Sequence, residues 1–179
     1  MMPRLFTIGH STHPLAELID ILRHHGITQV ADIRTVPRSR HVPWFNQAEF
    51  SHSLALEGIA YTHLSQLGGL RKSSPDSINT GWRNASFRGF ADYMQTKTFF
   101  QGLKELHALI KKQQAVVILC AEAVPWRCHR SLVADAEIIR GVNVIDILGK
   151  DSLRPHQLTP FAVVNKNTRP YQLYYPNPN

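Results

Sequence analysis

Short apolar runs alternate with helix-patterned segments along most of the chain, and this alternation limits the possible folds more than any other feature. The clearest run, AVVILC at residues 115–120, has the length and the β-branched residues of a buried strand. An apolar helical face at 15–22 lies between two further strand-like runs, at 5–8 and 28–33. A helix of this length suits a crossover between parallel strands. The pattern therefore predicts an α/β fold: one three-layer α/β/α domain with a mainly parallel, Rossmann-like sheet.

The rest of the sequence continues this pattern, with two interruptions. Further strands are predicted at 59–64 and 142–148, and further helices at 46–56, 99–110 and 128–140. Residues 65–90 are predicted to be a loop-rich insertion of the kind that forms lids or binding loops. Residues 163–179 show little periodicity and are predicted to be an extended tail. We therefore expect a single domain at 1–162, followed by the tail.

Composition excludes several classes of protein. A length of 179 residues predicts about one domain, and a hydrophobic fraction of 43% excludes a disordered chain. Two cysteines are too few for a disulfide framework, and no apolar run is long enough for a membrane helix or a signal peptide. We therefore expect a cytoplasmic protein with reduced thiols and no membrane partner. The formal net charge of +7 favours an anionic partner, although a soluble basic surface explains it equally well.

Parallel sheets bind ligands beyond the carboxyl ends of their strands. The turn after the first predicted strand contains Gly9, His10 and Ser11. Glycine lets a ligand approach the backbone, and Ser11 and Thr12 can either hydrogen bond to that ligand or cap the next helix. The turn has no G-x-G-x-x-G or P-loop spacing, so it carries no nucleotide fingerprint. His10 is either a proton-transfer group or an ordinary loop histidine.

The second predicted strand ends at a cluster of charged residues. Asp32 is a candidate general base or a group that orients a histidine, and Arg34 and Arg38 follow it in the loop. The alternative for Asp32 is a salt bridge to one of these arginines. The arginines either line a phosphate site or belong to a solvated loop. His63, at the end of the next predicted strand, is expected at the same edge of the sheet.

The segment CAEAVPWRCHR at 120–130 is the most informative part of the sequence. It is expected to leave a strand and enter the first turn of a helix, where free N–H groups and the helix dipole stabilise an anion or a thiolate. Four interpretations remain open. They are a reactive thiolate at Cys128 or Cys120, a metal site of Cys120, Cys128, His129 and His10, an anion-binding turn whose thiols only pack, and two purely structural cysteines.

Aromatic and basic residues alternate within the predicted insertion. Trp82 and Arg83 represent this group, in which a ring suited to stacking on a base lies next to a cation suited to a phosphate. From residue 34 to residue 90 the chain has seven lysines and arginines against three acidic residues. The alternative is a mobile basic loop whose aromatic rings pack onto the core.

Several of these motifs together resemble one family, the domain of unknown function 488 of bacterial and archaeal proteins. The matching motifs are TIGHS (7–11), DIRTVPRS (32–39), GIAY (58–61) with His63, LGG (67–69), GWR (81–83), SFRGFADYM (86–94), CAEAVPWRCHR (120–130) and HQLTPF (156–161). They extend from residue 5 to about 162, with no departure at the motif positions. The resemblance implies a compact three-layer α/β domain and no particular reaction.

The leading hypothesis is an enzyme with one anionic-ligand pocket at the strand carboxyl ends, for a nucleotide, a nucleic-acid fragment or another phosphorylated compound. Its predicted residues have four roles: anion binding (Arg34, Arg127, Arg130), proton transfer (His10, Glu122, His129), nucleophilic attack (Cys128) and pocket walls (Trp82, Trp126). Glu122 has an alternative role as the salt-bridge partner of Arg127 and Arg130. The alternative functions are a non-catalytic nucleic-acid-binding module and a metal or redox site on Cys120 and Cys128. No cofactor is identified.

Overall fold

A computed structural model describes residues 2–112 and 115–178. The helices are α1 (Leu15–His24), α2 (Gln47–Leu56), α3 (Ala85–Tyr93), α4 (Lys97–Lys112) and α5 (Arg130–Ile138). The strands are β1 (Arg4–Gly9), β2 (Gln29–Asp32), β3 (Ala60–His63), β4 (Val116–Cys120), β5 (Asn143–Gly149), β6 (Ser152–Pro155), β7 (Val163–Asn165) and β8 (Gln172–Tyr174). Short 3-10 turns lie at Pro43–Phe45, Ser65–Leu67 and Pro125–Arg127.

Strands β1 to β6 form one sheet in the order β3-β2-β4-β1-β5-β6. Every neighbouring pair is parallel except β5 and β6, so the prediction of a mainly parallel α/β sheet is confirmed. Strand β4 inserts between β2 and β1, so that Cys120 lies beside Gly9, and Leu119 beside Asp32. The carboxyl ends of these three strands therefore meet at one place on the sheet edge.

The two faces of the sheet pack against different helices, because alternate residues of a strand point to opposite faces. In β4, Val117 and Leu119 join the apolar cluster formed with α1 and α2. Val116, Ile118 and Cys120 join the opposite cluster, formed with α3, α4 and α5. The three-layer arrangement is thus confirmed, and Cys120 belongs to the same face as α5.

The turn after β1 differs from its predicted capping role. Helix α1 begins at Leu15 with Pro14 as its N-cap, and no side chain caps it. Ser11 instead adopts a φ of 47°, in the left-handed region. The backbone N–H of Ser11 donates to the Ala121 carbonyl at 2.9 Å. This hydrogen bond connects the turn to the loop after β4.

The C-terminal segment contains a small antiparallel hairpin of β7 and β8. Beyond β8, Tyr175 is fully buried and its hydroxyl donates to Asp135 of α5 at 2.9 Å. Gln95 also donates to the carbonyl of Leu173, at 2.7 Å. These contacts hold the segment against the rest of the chain, although the division into a domain and a tail stays a prediction.

None of the helices in the described ranges combines the length and the apolar character needed to cross a membrane. The cytoplasmic location stays a prediction.

A buried histidine connects α5 with β5 and β6. His156 lies 3.0 Å from Asp135 and 3.1 Å from Asp146, and its side chain is 7% exposed. Burial alone lowers the pKa of His156, but the hydrogen bonds with the two carboxylates outweigh it and raise the pKa to about 9. Arg154 and Tyr175 also contact these carboxylates. At neutral pH, His156 is therefore a cation between two anions.

This histidine predicts a pH dependence of stability. Because the folded-state pKa is raised from 6.5 to about 9, the stabilisation is complete below about pH 6.5 and is lost as the pH rises through about 9. We expect the difference in unfolding free energy between wild type and His156→Gln to shrink by about 3 kcal/mol from about pH 6 to about pH 10. Urea unfolding of both proteins at several pH values in this range measures the difference in free energy. A difference that does not change with pH would contradict the raised pKa of His156.

Candidate functional site

A cavity of about 880 Å³ lies at the carboxyl ends of β1, β2 and β4. The predicted site residues that line it are His10, Ser11, Arg34, Arg38, Cys120, Glu122, Arg127, Cys128 and His129. They come from three turns that are distant in sequence and that the strand order brings together. The site residues are thus largely gathered in one place, while their roles stay predictions.

The charge of the cavity wall is mainly positive. Arg38 and Arg127 are exposed, and the described part of the chain offers neither of them an ion-pair partner. Glu122 is the one carboxylate among the lining residues and is itself exposed. The salt bridges considered for Glu122 with Arg127 and Arg130 are not found among the described residues. An anion entering the cavity would therefore meet two guanidinium groups that are free to turn toward it.

Arg34 occupies the inner wall of the cavity, held by Asp32. Its guanidinium donates to the Asp32 carboxylate from Nε at 3.0 Å and from Nη2 at 2.6 Å. Tyr61 donates its hydroxyl to the same carboxylate at 2.6 Å, and burial, together with this negative charge, raises the Tyr61 pKa. Both charged groups are buried, and Asp32 does not line the cavity. Asp32 is thus an ion-pair partner of Arg34, the alternative considered above, and it fixes the direction in which Arg34 points.

His10 is a neutral group in this wall. Burial lowers its pKa to about 4, and the nearby charge of Arg34 acts in the same direction. Nδ1 lies 2.8 Å from the Ser11 carbonyl, to which only a protonated nitrogen can donate. Nε2 is then the unprotonated nitrogen, which accepts from Arg34 Nη1 at 3.3 Å. The ring stacks on Phe45 with centroids 4.5 Å apart, so its orientation is fixed.

His129 is the second neutral histidine, and it lies beside a cysteine. Burial lowers its pKa to about 4. Its Nε2 donates to the Ile33 carbonyl at 2.9 Å, which leaves Nδ1 unprotonated and 3.5 Å from the Cys128 sulfur. A Cβ on Gly69 would overlap this ring, so the glycine permits the close approach. The Cys128 sulfur contacts the His129 ring, and the Ile33 carbonyl orients that ring. This order of contacts is typical of activated thiol nucleophiles.

The second cysteine contacts a buried arginine. Nη1 of Arg130 donates to the Cys120 sulfur at 2.8 Å and to the Glu122 carbonyl at 2.6 Å, and Nη2 donates to the Ala123 carbonyl at 3.2 Å. Burial lowers the pKa of Arg130 to about 10, which leaves it charged at neutral pH. The structure also places the sulfurs of Cys120 and Cys128 next to each other, and the reduced state expected from the sequence stays a prediction. They meet because β4 ends where α5 begins.

Some predicted site residues lie elsewhere. Arg130 is fully buried and supports the loop after β4 without lining the cavity, so it is not placed to touch an anion there. Gly9 is also buried beneath this loop, and Arg83 is exposed outside the cavity. The sequence pattern could not show that the loop folds over Arg130, because that depends on contacts between strands.

Trp82 and Trp126, the two tryptophans predicted as pocket walls, line a different cavity, of about 390 Å³. Trp82 stacks on Phe87 with centroids 4.9 Å apart and packs edge-on against Phe161, so its faces are occupied by protein. Trp126 is 56% exposed and lies beneath the Arg154 guanidinium. The prediction that these tryptophans form walls of the main pocket is therefore wrong. Trp82 instead packs against other aromatic rings of the protein, which was the alternative expected from the sequence.

Sequence reasoning omitted several residues of the main cavity. They are Thr35, Val36, Ser39, His41, Val42, Leu70, Asn84, Ser86, Ala121 and Ala123. Gly69, Asn84 and Ser86 belong to the insertion, which folds back over the strand ends. The motif LGG was visible, but its contact with His129 was not, because nothing in the spacing connects residues sixty positions apart.

The described residues contain no group of three or more histidine, cysteine or acidic side chains arranged to hold a metal ion. His63 is not among the residues that line the cavity, and its Nε2 donates to the Arg34 carbonyl at 2.7 Å.

A family model described as Domain of unknown function DUF488 matches residues 14–137. The range includes β2, β4 and the segment from Cys120 to Arg130, whereas the motifs at 7–11 and 156–161 lie outside it. Neither a curated protein nor a solved structure matches the chain, so the Rossmann-like classification stays a prediction.

Proposed function

The chain belongs to the DUF488 family, whose description names no activity, and from its site we propose that it is an enzyme acting on an anionic, nucleotide-like or other phosphorylated small molecule. The observation that supports this proposal is the cavity whose wall contains two exposed arginines, Arg38 and Arg127, together with the Cys128–His129 pair. A surface that was basic only for solubility would not need to group these residues at the strand ends.

Recognition of the ligand depends on the rim and the inner wall of the cavity. Arg38 and Arg127 attract the anion and bind its oxygens, since guanidinium groups form bidentate hydrogen bonds with phosphate and carboxylate. Arg34 contributes less net charge because Asp32 neutralises it at 2.6 Å. The role of Arg34 is to present a hydrogen-bond donor, its guanidinium, in a fixed direction. A cavity of about 880 Å³ has room for a nucleotide-sized molecule.

The reacting group in this proposal is the reduced thiol of Cys128. His129 Nδ1, unprotonated at neutral pH, accepts a hydrogen bond from the thiol over 3.5 Å and positions it, while the Ile33 carbonyl holds the ring. The backbone N–H of Arg130 also lies 3.5 Å from this sulfur, at the N-terminus of α5, and favours the thiolate. The Cys128 thiolate is the nucleophile that the site offers to a bound anion.

Binding of phosphorylated compounds should raise the melting temperature. At about 100 times its dissociation constant, a ligand stabilises the folded protein by about 2.7 kcal/mol, which is roughly 5–10 °C for a chain of this size. We expect this shift for at least one member of a panel of nucleotides, sugar phosphates and inorganic phosphate. The double variant Arg38→Ala/Arg127→Ala should lose most of it.

The matched control for this experiment is Arg40→Ala. Arg40 is an exposed arginine of the same loop that does not line the cavity, so its removal changes the net charge but not the site. We expect this variant to respond as the wild type does. If no compound shifts the wild type, or if both sets of variants respond equally, the anion-binding proposal is wrong.

A further inference from the structure

The guanidinium of Arg130 is a buried cation without a carboxylate partner. Throughout the described ranges, no carboxylate oxygen lies within ion-pair distance of it, and its acceptors are the Glu122 and Ala123 carbonyls and the Cys120 sulfur. The charges of Asp146 and Glu122 act on it only from farther away. Buried charges in proteins are generally paired. A thiolate on Cys120, 2.8 Å from Nη1, would supply the missing negative charge.

The two cysteines therefore have different surroundings. Cys128 lies beside a neutral base, His129, and both cysteines are among the residues that line the cavity. Cys120 contacts the buried cation and is 2% exposed. The two sulfurs also lie next to each other. An adduct formed on Cys128 would consequently be within reach of a second thiolate.

We propose that Cys120 is the resolving thiol of a dithiol–disulfide pair, and that the substrate of this site is an anionic disulfide. The proposal rests on the proposed function for its anion-binding cavity and for its nucleophile. It adds the class of bond that is broken and a role for the second cysteine. Arg130 is a positioning residue in this scheme, since it acts through Cys120.

The reaction balances in two exchanges. The Cys128 thiolate attacks one sulfur of the disulfide RSSR′, whose S–S bond breaks, so that R′S⁻ leaves and takes a proton from water. The Cys120 thiolate then attacks the Cys128 sulfur of the mixed disulfide, and RS⁻ leaves. The substrate gains two electrons, and the protein is oxidised to the Cys120–Cys128 disulfide. A dithiol reductant restores the two thiols.

A disulfide explains the site better than an electrophile at phosphorus or carbon. Attack on phosphorus or carbon needs one nucleophile, so the Cys120 thiolate next to the Cys128 sulfur would have no role in such a reaction. The cavity also exceeds what a small hydroperoxide would fill, and Arg38 and Arg127 suit carboxylate or phosphate groups carried by the two halves of a disulfide.

Trapping of the mixed disulfide tests this assignment. The reduced full-length chain is mixed with oxidised glutathione, whose net charge is negative, and followed by intact-mass measurement. Wild type should convert to the internal disulfide without accumulating an adduct. Cys120→Ser should accumulate one glutathionyl group, located on Cys128 by peptide mapping. Cys128→Ser should form at most about a tenth as much adduct, because Cys120 is 2% exposed and is held by Arg130 beneath the loop after β4.

The charge of the substrate is tested with cystamine, a cationic disulfide. We expect Cys120→Ser to react about tenfold or more faster with oxidised glutathione than with cystamine at low salt, and the ratio to fall as salt is added. Equal rates would overturn the anionic substrate class and count against the anion-binding cavity itself. A melting-temperature shift with phosphates but no adduct on Cys120→Ser would overturn the resolving role alone.

Two further results would also overturn the inference. One is release of the glutathionyl group from Cys120→Ser as fast as from wild type. The other is faster oxidation of the wild type by hydrogen peroxide than by oxidised glutathione at equal concentration, which would make a hydroperoxide the preferred substrate. A thermal melt of each variant confirms that it is folded before its reactivity is compared.

Discussion

Gly9→Ala is expected to lower the free energy of unfolding by about 3–5 kcal/mol. A Cβ at this position would overlap the Glu122 carbonyl oxygen and lie 2.7 Å from Arg130 Nη1. The obstacle is mainly backbone, so the loop after β4 must move away from β1. Overpacking of a close-packed site costs about 1–3 kcal/mol, and loss of the Arg130 bond to that carbonyl adds about 1–3 kcal/mol.

The measurement is a urea titration with a thermal melt, in which the midpoint should fall by roughly 10 °C or more. Gly149→Ala is the matched control. It also adds a methyl group at the end of a strand of the same sheet, but this methyl meets only an ordinary contact at 3.9 Å, with Ser152. We expect the control to remain close to wild type. A loss below about 1 kcal/mol for Gly9→Ala would show that the loop moves at little cost.

This glycine also marks the limit of what the sequence could predict. Its position after an apolar strand identified it as a place of close backbone approach, and the structure has such an approach. The sequence suggested that a ligand would come close there. The group that does so is the loop carrying Glu122, because β4 pairs with β1 and the ladder continues past both strand ends.

Strands β1 to β5 and helices α1, α2, α4 and α5 were predictable because their signals are local, whereas α3, inside the predicted insertion, and β6, β7 and β8 were not predicted. Periodicity of 2 or 3.6 residues and the helix-ending glycines depend on neighbours in sequence. The order of the strands depends on pairing between distant segments. The insertion of β4 between β1 and β2 is such a pairing, and it alone brings Cys120 beside Gly9.

The candidate site was predictable to the extent that it lies at strand ends. The rule for parallel sheets gathered His10, Arg34 and Cys128 without any knowledge of strand order. The same rule could not separate Arg127, which faces the cavity, from Arg130, which is buried beneath it. Both are basic and three residues apart, and the turn between them decides which one meets solvent.

Asp32→Ala is expected to destabilise the fold by about 3–5 kcal/mol and to weaken the anion response of the cavity. The carboxylate is fully buried and accepts from the Arg34 guanidinium and the Tyr61 hydroxyl. Its removal leaves the Arg34 cation buried and unpaired, which is the costly way to break a buried ion pair. Arg34 is then held only by the Phe45 carbonyl and His10, so it loses its fixed direction.

The test compares urea unfolding of Asp32→Ala with that of Asp20→Ala. Asp20 pairs with Lys150 at 2.8 Å, a similar contact, but both side chains are about half exposed, so water already screens the charges. We expect Asp20→Ala to keep the unfolding midpoint and the ligand-induced melting shift of the wild type. Equal effects of the two substitutions would mean that the Asp32–Arg34 pair does not organise the cavity. A large loss of both stability and ligand response with Asp32→Ala alone would connect the buried ion pair to the site that it supports.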